Sequence, residues 1–412
     1  MRDGQDATGR RSSQQGNLQP TPWRAVAVVV AAGVVSAYHL GKVSIAGPQL
    51  QSDLGLSLEM LGALGATFAL LGALGGMLAG SWVARAGDRR MLLGGLAATL
   101  LGTAFALAQP QASFAALLAS RVVEGLGFLL ITVAGPAVIA RLARPAERPR
   151  AMAMWSCFMP GGMALAMVTG PWLGGWEGLW ATAAGASGVI SALALWQVPA
   201  AQRATPPGDG VDSNTASSLR MRRREVLRSE PLALAATFLL YALMFFALFG
   251  FMPVLLQQRL QVDATTVGLL TGIACMANIG GNLAAGVWLK KAGRTVLIRL
   301  AAAVMGACAL GIFLPGTDPR LSFALCLVFS AAGGMVPASL LSSVAQVSAT
   351  PAHATLATGL LMQGSNLGQA LGPLLVGSTV DRHGWPAAAA WVTSAALVMA
   401  WSAQWRARNP ER

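Results

Sequence analysis

Apolar runs long enough to cross hydrocarbon as helices, which takes roughly 20 residues, recur along nearly the whole chain. Short segments holding most of the Lys and Arg separate them. Of 412 residues, 55% are hydrophobic and only 11% charged, whereas a soluble domain carries about 25% charge. A chain this poor in charge has no means of covering a soluble surface, so an all-α polytopic membrane protein is predicted. The formal charge of +13 invites a nucleic-acid reading. The basic residues, however, lie in short clusters between apolar runs, as at the cytoplasmic surface of a membrane protein, and nucleic acid is set aside.

Cutting at charged and Pro/Gly-rich breaks predicts twelve spans. The first six are 23–48, 58–84, 91–108, 112–140, 151–173 and 179–198. The second six are 232–256, 265–289, 296–314, 321–344, 354–380 and 387–405. This divides the chain into a polar tail (1–22), a six-helix bundle (23–198), a linker (199–231), a second six-helix bundle (232–405) and a short tail (406–412). The first apolar run has no A-x-A cleavage signature close behind it and is expected to be retained as a helix. The linker's Pro, Gly and Ser suggest a flexible segment. Arg85, Arg89, Arg90, Arg141, Arg144, Arg148 and Arg150 fall in alternate loops with the linker's arginines, while the other loops hold only Arg259, Arg320 and Arg382. Both termini are therefore expected in the cytoplasm of a bacterial inner-membrane protein. Loop 345–352 is the exception, inside by parity yet without Lys or Arg.

The two halves resemble each other. "GSWVARAGDRRMLL" matches "GVWLKKAGRTVLI", aligning Gly80 with Gly286 and Gly87 with Gly293. "LGALG" at Gly62 has a counterpart at Gly268, and "GPWLGG" at Gly170 and Pro171 recurs as "GPLLVG" at Gly372 and Pro373. Weak repetition across membrane halves marks secondary transporters, whose bundles rock about a site between them. Recurrent small residues, as in "GALGATFALLGALGGMLAG", suit close helix contact.

These motifs resemble the major facilitator superfamily over essentially the whole chain after residue 22. "GSWVARAGDRR" (Gly80, Arg85, Gly87, Asp88, Arg89) and "GVWLKKAGR" (Gly286, Lys290, Gly293, Arg294) resemble the family's loop signature after spans two and eight. "RVVEG" resembles the Arg-x-x-x-Gly of its fourth span, here Arg121 and Gly125. "GPWLGG" (Gly170, Pro171, Gly174, Gly175) resembles the fifth-span end of proton-coupled exporters. "EGLGFLLITVAGPAVIARL" looks most like the cyanate and nitroimidazole transporter branch. The chain departs from the pattern too. Ala84 and Lys290 stand where the loop signature has Asp, with Asp88 four residues beyond the first, and Ala166 stands where the exporter signature has Gly. The resemblance implies alternating access, and it implies a proton-transfer role for Arg121.

Charges within the spans are expensive and point to a pathway or a partner. Glu124, the only acid deep inside a predicted span, lies one helical turn from Arg121, and His39 and Lys42 are similarly spaced in the first span. Arg121 and Glu124 are read as looking into a central aqueous path and coupling protons, and the competing reading is a structural pair. Lys42 is long enough to snorkel toward the outer water. His39, Lys42 and Arg121 would make the cavity net positive, favouring a small organic acid, anion or weakly acidic compound. Asn278 and Asn282 in the eighth span and Gln363, Asn366 and Gln369 in the eleventh either hydrogen-bond substrate or hold helices together. Trp155, Met159, Tyr241 and Met362 are candidate wall residues.

Four cysteines in apolar runs read as small buried hydrophobes. No zinc spacing, nucleotide-binding loop or catalytic triad appears, so no cofactor is expected and energy is expected to come from a gradient. A lipid-active enzyme would need clustered polar groups, and the three histidines lie in separate regions. A drug/proton antiporter, or a channel or sensor on the same fold, are the alternatives. Beyond a small-molecule substrate, protons and anionic lipid, nothing requires a partner, and a monomer is expected. Fusing alkaline phosphatase after Arg412 should give an inactive reporter, and a fluorescent protein there a bright one. The reverse would overturn the orientation.

Overall fold

A computed structural model describes residues 20–109, 113–200, 230–344 and 351–408. The tail 1–19, most of the linker, loop positions 345–350 and 409–412 lie outside the described residues, as do positions 110–112 around the break between the third and fourth spans. Fourteen helices are described: Trp23–Leu54 (α1), Leu58–Ala86 (α2), Asp88–Leu107 (α3), Phe114–Leu142 (α4), Arg148–Ser156 (α5), Phe158–Thr169 (α6), Trp176–Gln197 (α7), Glu230–Phe249 (α8), Met252–Leu260 (α9), Ala264–Ala292 (α10), Arg294–Phe313 (α11), Pro319–Ser343 (α12), Pro351–His383 (α13) and Pro386–Arg408 (α14). Helix is what a lipid-embedded backbone requires, because every N–H and C=O must find its partner within the segment.

The ends of these helices follow from local chemistry. Ser113 Oγ accepts from Ala116 N (3.2 Å) at the start of α4. Asp318 accepts from Arg320 N and Leu321 N (2.9 and 3.1 Å) at the start of α12, with Pro319 in the first position. Such caps satisfy N–H groups that no preceding turn can reach. Gly87 and Gly293, paired in the sequence repeat, have φ of 90° and 76° at the starts of α3 and α11. L-residues rarely adopt this backbone, which accounts for glycine at both positions.

Two predicted spans are broken. The fifth divides at Cys157 into α5 and α6 and ends in a 3-10 turn, Gly170–Trp172; the seventh divides at Gly250–Phe251 into α8 and α9. Cys157, at the first break, is exposed, contrary to expectation, while Cys275, Cys308 and Cys326 are buried. Among the described residues, eleven helical segments are long and apolar enough to cross a membrane, not twelve. The predicted eleventh span is the helix that does not qualify. It is fully helical as α13, at 33 residues, but Gln363, Ser365, Asn366 and Gln369 dilute its apolar character. Its long contacts with α2 and α8 offer those polar groups protein neighbours in place of lipid.

Helices before the linker pack α1 on α4, α6 and α7, and α3 on α4 and α7. Those after it pack α8 on α13 and α14, α10 on α12, and α11 on α12 and α14. The two sets meet where α2 runs along α13 and α6 along α10. Glycine makes this seam possible. A Cβ on Gly62 would lie 2.3 Å from Pro373 O, one on Gly377 2.4 Å from Leu58 O, and one on Gly268 2.3 Å from Met167 O. These approaches lie toward the face opposite the arginine-rich loops. There Asp381, at the end of α13, accepts from Leu58 N (3.2 Å) and Glu59 N (2.7 Å) and so caps α2 from the other set.

Asp381→Ala should loosen this end of the seam. Loss of an N-cap costs about 1 kcal/mol, so the thermal midpoint of detergent-purified protein should fall by a few degrees. An unchanged midpoint would show that the carboxylate contributes nothing to the closure.

Candidate functional site

The charged residues singled out in the sequence do come together, but within the N-terminal set of helices and sealed from solvent. His39, Lys42 and Glu124 have no exposed surface and Arg121 has 1%. Glu124 is the hub. Its Oε1 accepts from Lys42 Nζ (2.7 Å), Thr103 Oγ1 (2.7 Å) and Ser120 Oγ (3.1 Å), and its Oε2 pairs with Arg121 Nη1. Lys42 also lies 3.2 Å from His39 Nδ1. An ammonium only donates, so Nδ1 accepts and Nε2 carries the ring proton, donating to Ser187 Oγ at 2.9 Å. Trp180 covers Lys42 (4.4 Å to the ring centroid) and Phe68 covers the Arg121 guanidinium (4.1 Å), adding cation–π attraction. One carboxylate thus faces two fixed cations, drawn from α1 and α4 and supported by α3 and α7. Two unit charges this close in a dry interior need such mutual hydrogen bonding to persist.

Sequence spacing suggested Arg121–Glu124 and His39–Lys42 as separate pairs. The interaction that joins them, Lys42 with Glu124, spans 82 positions, and no local pattern announces it. Nor does Lys42 reach the outer water, because Glu124 draws it inward instead. In this conformation Arg121 and Glu124 do not face an aqueous path either.

The seam itself holds a different kind of space. A cavity is lined by Leu40, Val43 and Ser44 of α1, Leu61 and Gly65 of α2 and Met163 of α6 from one set. Phe246 of α8, Gly250, Gln369 and Pro373 line it from the other. Its volume is about 20 Å³, enough for a water but not for a solute. The seam is therefore nearly closed here. None of the expected wall residues lines this cavity. His39 and Lys42 are instead engaged with Ser187, Thr103 and Glu124. Trp155 is packed on Phe158 (4.7 Å between centroids) and against Gly33 and Gly135. Asn278 donates to Tyr241 Oη (3.3 Å) and Ser330 O (3.1 Å), which joins α10 to α8 and α12. Asn282 and Met159 are half-buried, the first beside Gly334 and the second against the core. Asn366 lies against Gly72 at the seam, Gln363 is half-buried and Met362 is exposed. Of the polar residues weighed in α13, only Gln369 reaches the cavity.

The motif residues sit at the ends of the helices. Asp88 makes a two-point ion pair with Arg141 (2.7 and 3.1 Å), and Arg141 and Arg89 donate to Pro199 O and Leu195 O. Asp88 therefore ties α3 to α4 and to the end of α7, all in one set of helices. Arg294 pairs with Glu230 in the other set. Gly170 packs on Ile45, and Pro171 lies against Gly268 across the seam. Gly174 and Gly175 turn the chain with φ of 73° and 119°. Gly80, Arg85, Gly286 and Lys290 fall within α2 and α10, at positions whose side chains lie outside the described residues.

Two sets of membrane-length helices meeting at a seam, with buried charges beside it, define a polytopic carrier. The model of the Major Facilitator Superfamily matches residues 26–362, and the chain belongs to that family. It is a multi-pass membrane protein and a secondary transporter of small molecules. Solved structures share the fold. A D-xylose–proton symporter is 17% identical, with a TM-score of 0.73, over 92% of this chain and 97% of that one. A bacterial homolog of the human lysosomal transporter Spinster, inward-facing and occupied, is 14% identical, with a TM-score of 0.73, over 95% and 97%. The human organic anion transporter MFSD10 (TETRAN) is 21% identical, with a TM-score of 0.67, over 94% and 100%. A comparison with curated protein sequences gives no match.

Lys42→Met leaves Glu124 short of one cation. Removing one partner of a buried ion pair costs about 3–5 kcal/mol, with Arg121 retaining part of the charge balance here. Thermal melts of Lys42→Met, Glu124→Gln and the double variant should show the double variant less destabilised than the two singles combined. Simple additivity would mean that the pair does not interact.

Proposed function

We propose that the chain is a proton-coupled secondary transporter of small, weakly acidic organic compounds, working by alternating access between residues 23–198 and 232–405. One observation carries this reading: the charge cluster and the seam cavity share the same walls. Lys42 reaches Glu124 from the helix that presents Leu40, Val43 and Ser44 to the cavity. Arg121 donates to His39 O (2.9 Å) and Leu64 O (3.3 Å), backbone atoms next to Leu40 and Gly65 in those walls. Placing a proton on Glu124 cancels the charge that holds both cations. The release is felt first by α1 and α2, and so at the cavity. Loss of the proton restores both ion pairs and the packing seen here.

The substrate class follows from where the charges point. His39, Lys42 and Arg121 do not line the cavity, so a permanent anion finds no direct counter-charge there in this conformation, and the weakly acidic member of the predicted classes fits best. That a structure sharing the fold, MFSD10, is an organic anion transporter by description supports the reading. We place the protein in a bacterial inner membrane with both termini cytoplasmic, acting as a monomer, with "EGLGFLLITVAGPAVIARL" favouring the cyanate and nitroimidazole branch. Drug/proton antiport is the second reading. It is supported by the exporter-like turn at Gly170 and Pro171, which packs directly on the seam at Gly268.

In proteoliposomes, a panel of small organic acids including lactate should show counterflow above protein-free vesicles, accompanied by proton movement. Glu124→Gln should retain exchange while proton movement falls by at least about tenfold, the loss of a group central to the step. Undiminished proton coupling in the variant removes Glu124 from the role. Sensitivity of a deletion strain to these acids indicates efflux, and lost growth on them indicates uptake.

A further inference from the structure

Gln369 stands out among the polar groups of the seam. It is 4% exposed, it lines the cavity, and its Oε1 has no hydrogen-bond partner among the described residues. Its Nε2 makes only a long contact with Ser365 Oγ, at 3.4 Å. Buried side-chain acceptors are almost always paired, and leaving one unpaired is unfavourable. The neighbouring polar residues of the α13 face do not share this condition. Asn366 is held against Gly72, and Gln363 does not line the cavity. The remaining lining is Leu40, Val43, Leu61, Met163, Phe246 and Pro373 with two glycines, and Ser44 is the one other polar side chain. Among the described residues, no charged one lines it.

We infer that Gln369 is the substrate-selecting residue of the seam, and that its free amide oxygen takes a hydrogen-bond donor from an uncharged, largely apolar solute. The inference rests on the proposed transport function and narrows its substrate. A protonated carboxylic acid offers an O–H to Oε1 and a carbonyl to Nε2, the two-point match for a primary amide. A carboxylate offers only acceptors and would meet Oε1 lone pair to lone pair. A quaternary ammonium offers no donor and finds no counter-charge. The walls come from both sets of helices, so a solute bound to Gln369 contacts both at once. Opening of the seam enlarges the space around an amide whose oxygen takes no hydrogen bond from the described protein groups, so no protein–protein bond to it is broken to receive a ligand. Such an arrangement selects by the difference between a satisfied and an orphaned polar group, the strongest discrimination that an uncharged site offers.

The test uses full-length protein in detergent, with thermal midpoints and titrated affinities for three probes: benzamide, methyl benzoate, and benzoate in neutral buffer. Benzamide keeps an N–H donor and no charge, methyl benzoate lacks the donor, and benzoate carries the charge. Benzamide should stabilise the wild-type protein and the other two should not. Gln369→Leu should weaken benzamide binding by about tenfold or more, the effect of losing one well-made hydrogen bond in a buried site. Gln369→Asn should recover part of it. Without any probe, the midpoint of Gln369→Leu should equal or exceed that of wild type, because the orphan acceptor is gone. A clear drop would show Oε1 engaged in holding the fold and would overturn the assignment. Absence of a benzamide shift in wild type, unchanged benzamide affinity in Gln369→Leu, or benzoate binding as tightly as benzamide would each overturn it too. Should the probes behave as expected while no organic acid shows proton-linked counterflow, the proposed function fails and the role of Gln369 in binding stands.

Discussion

A hydrocarbon layer supplies no hydrogen-bond partner and no counter-ion, and every feature of this protein follows from that constraint. Backbone groups close on themselves as helix. Charges that remain inside turn toward one another. Glu124 gathers Lys42, Arg121, Thr103 and Ser120 around a single carboxylate, and Asn278 bridges Tyr241 and Ser330. Once these groups have turned inward to satisfy each other, what the described residues leave around the seam cavity is mostly apolar side chain and glycine, with Ser44 and the unsatisfied amide of Gln369. Hydrophobicity alone offers little to hold helices together in lipid. Among the described residues, the two sets of helices are joined by close backbone approach and by the Asp381 carboxylate cap, interactions that separate without breaking an ion pair.

That division of labour suits the alternating access proposed above. The ion pairs seen among the described residues lie within a set: Glu124 with its cations, Asp88 with Arg141, Arg294 with Glu230. The ties across the seam at Gly62, Gly377 and Gly268 are van der Waals contacts, and Asp381 adds hydrogen bonds to two backbone N–H groups that water is able to replace. Rigid sets meeting at a weaker seam are the physical requirement for rocking motion.

Much of the fold was legible in the chain. Run lengths placed nearly every helix, and the repeated glycines marked the left-handed turns at Gly87 and Gly293. The α13 helix fell short of the apolar criterion because its polar residues face protein, a fact that hydropathy does not encode. Breaks at Cys157 and Gly250 were likewise missed, since neither residue type by itself dictates an interruption. The charged site was half legible: its members were named, but their surroundings were misjudged. The 3.6-residue period groups Arg121 with Glu124 and His39 with Lys42, yet it does not say which way the common face is turned. The polar residues of α13 were equally ambiguous until packing turned Gln369 into the seam.

The sequence by itself determined that this chain lives in a membrane as helices, that it repeats, and that four ionisable groups must be reconciled inside it. These are consequences of composition and short-range spacing, which hydrocarbon reads directly. Only the tertiary structure decided that Lys42 and Glu124 would meet, that the basic residues would be gathered around Glu124 and not line the cavity, and that Gln369 would be left lining it unpaired. Those outcomes depend on helix rotation and long-range partners, settled when many polar groups compete for few places away from lipid.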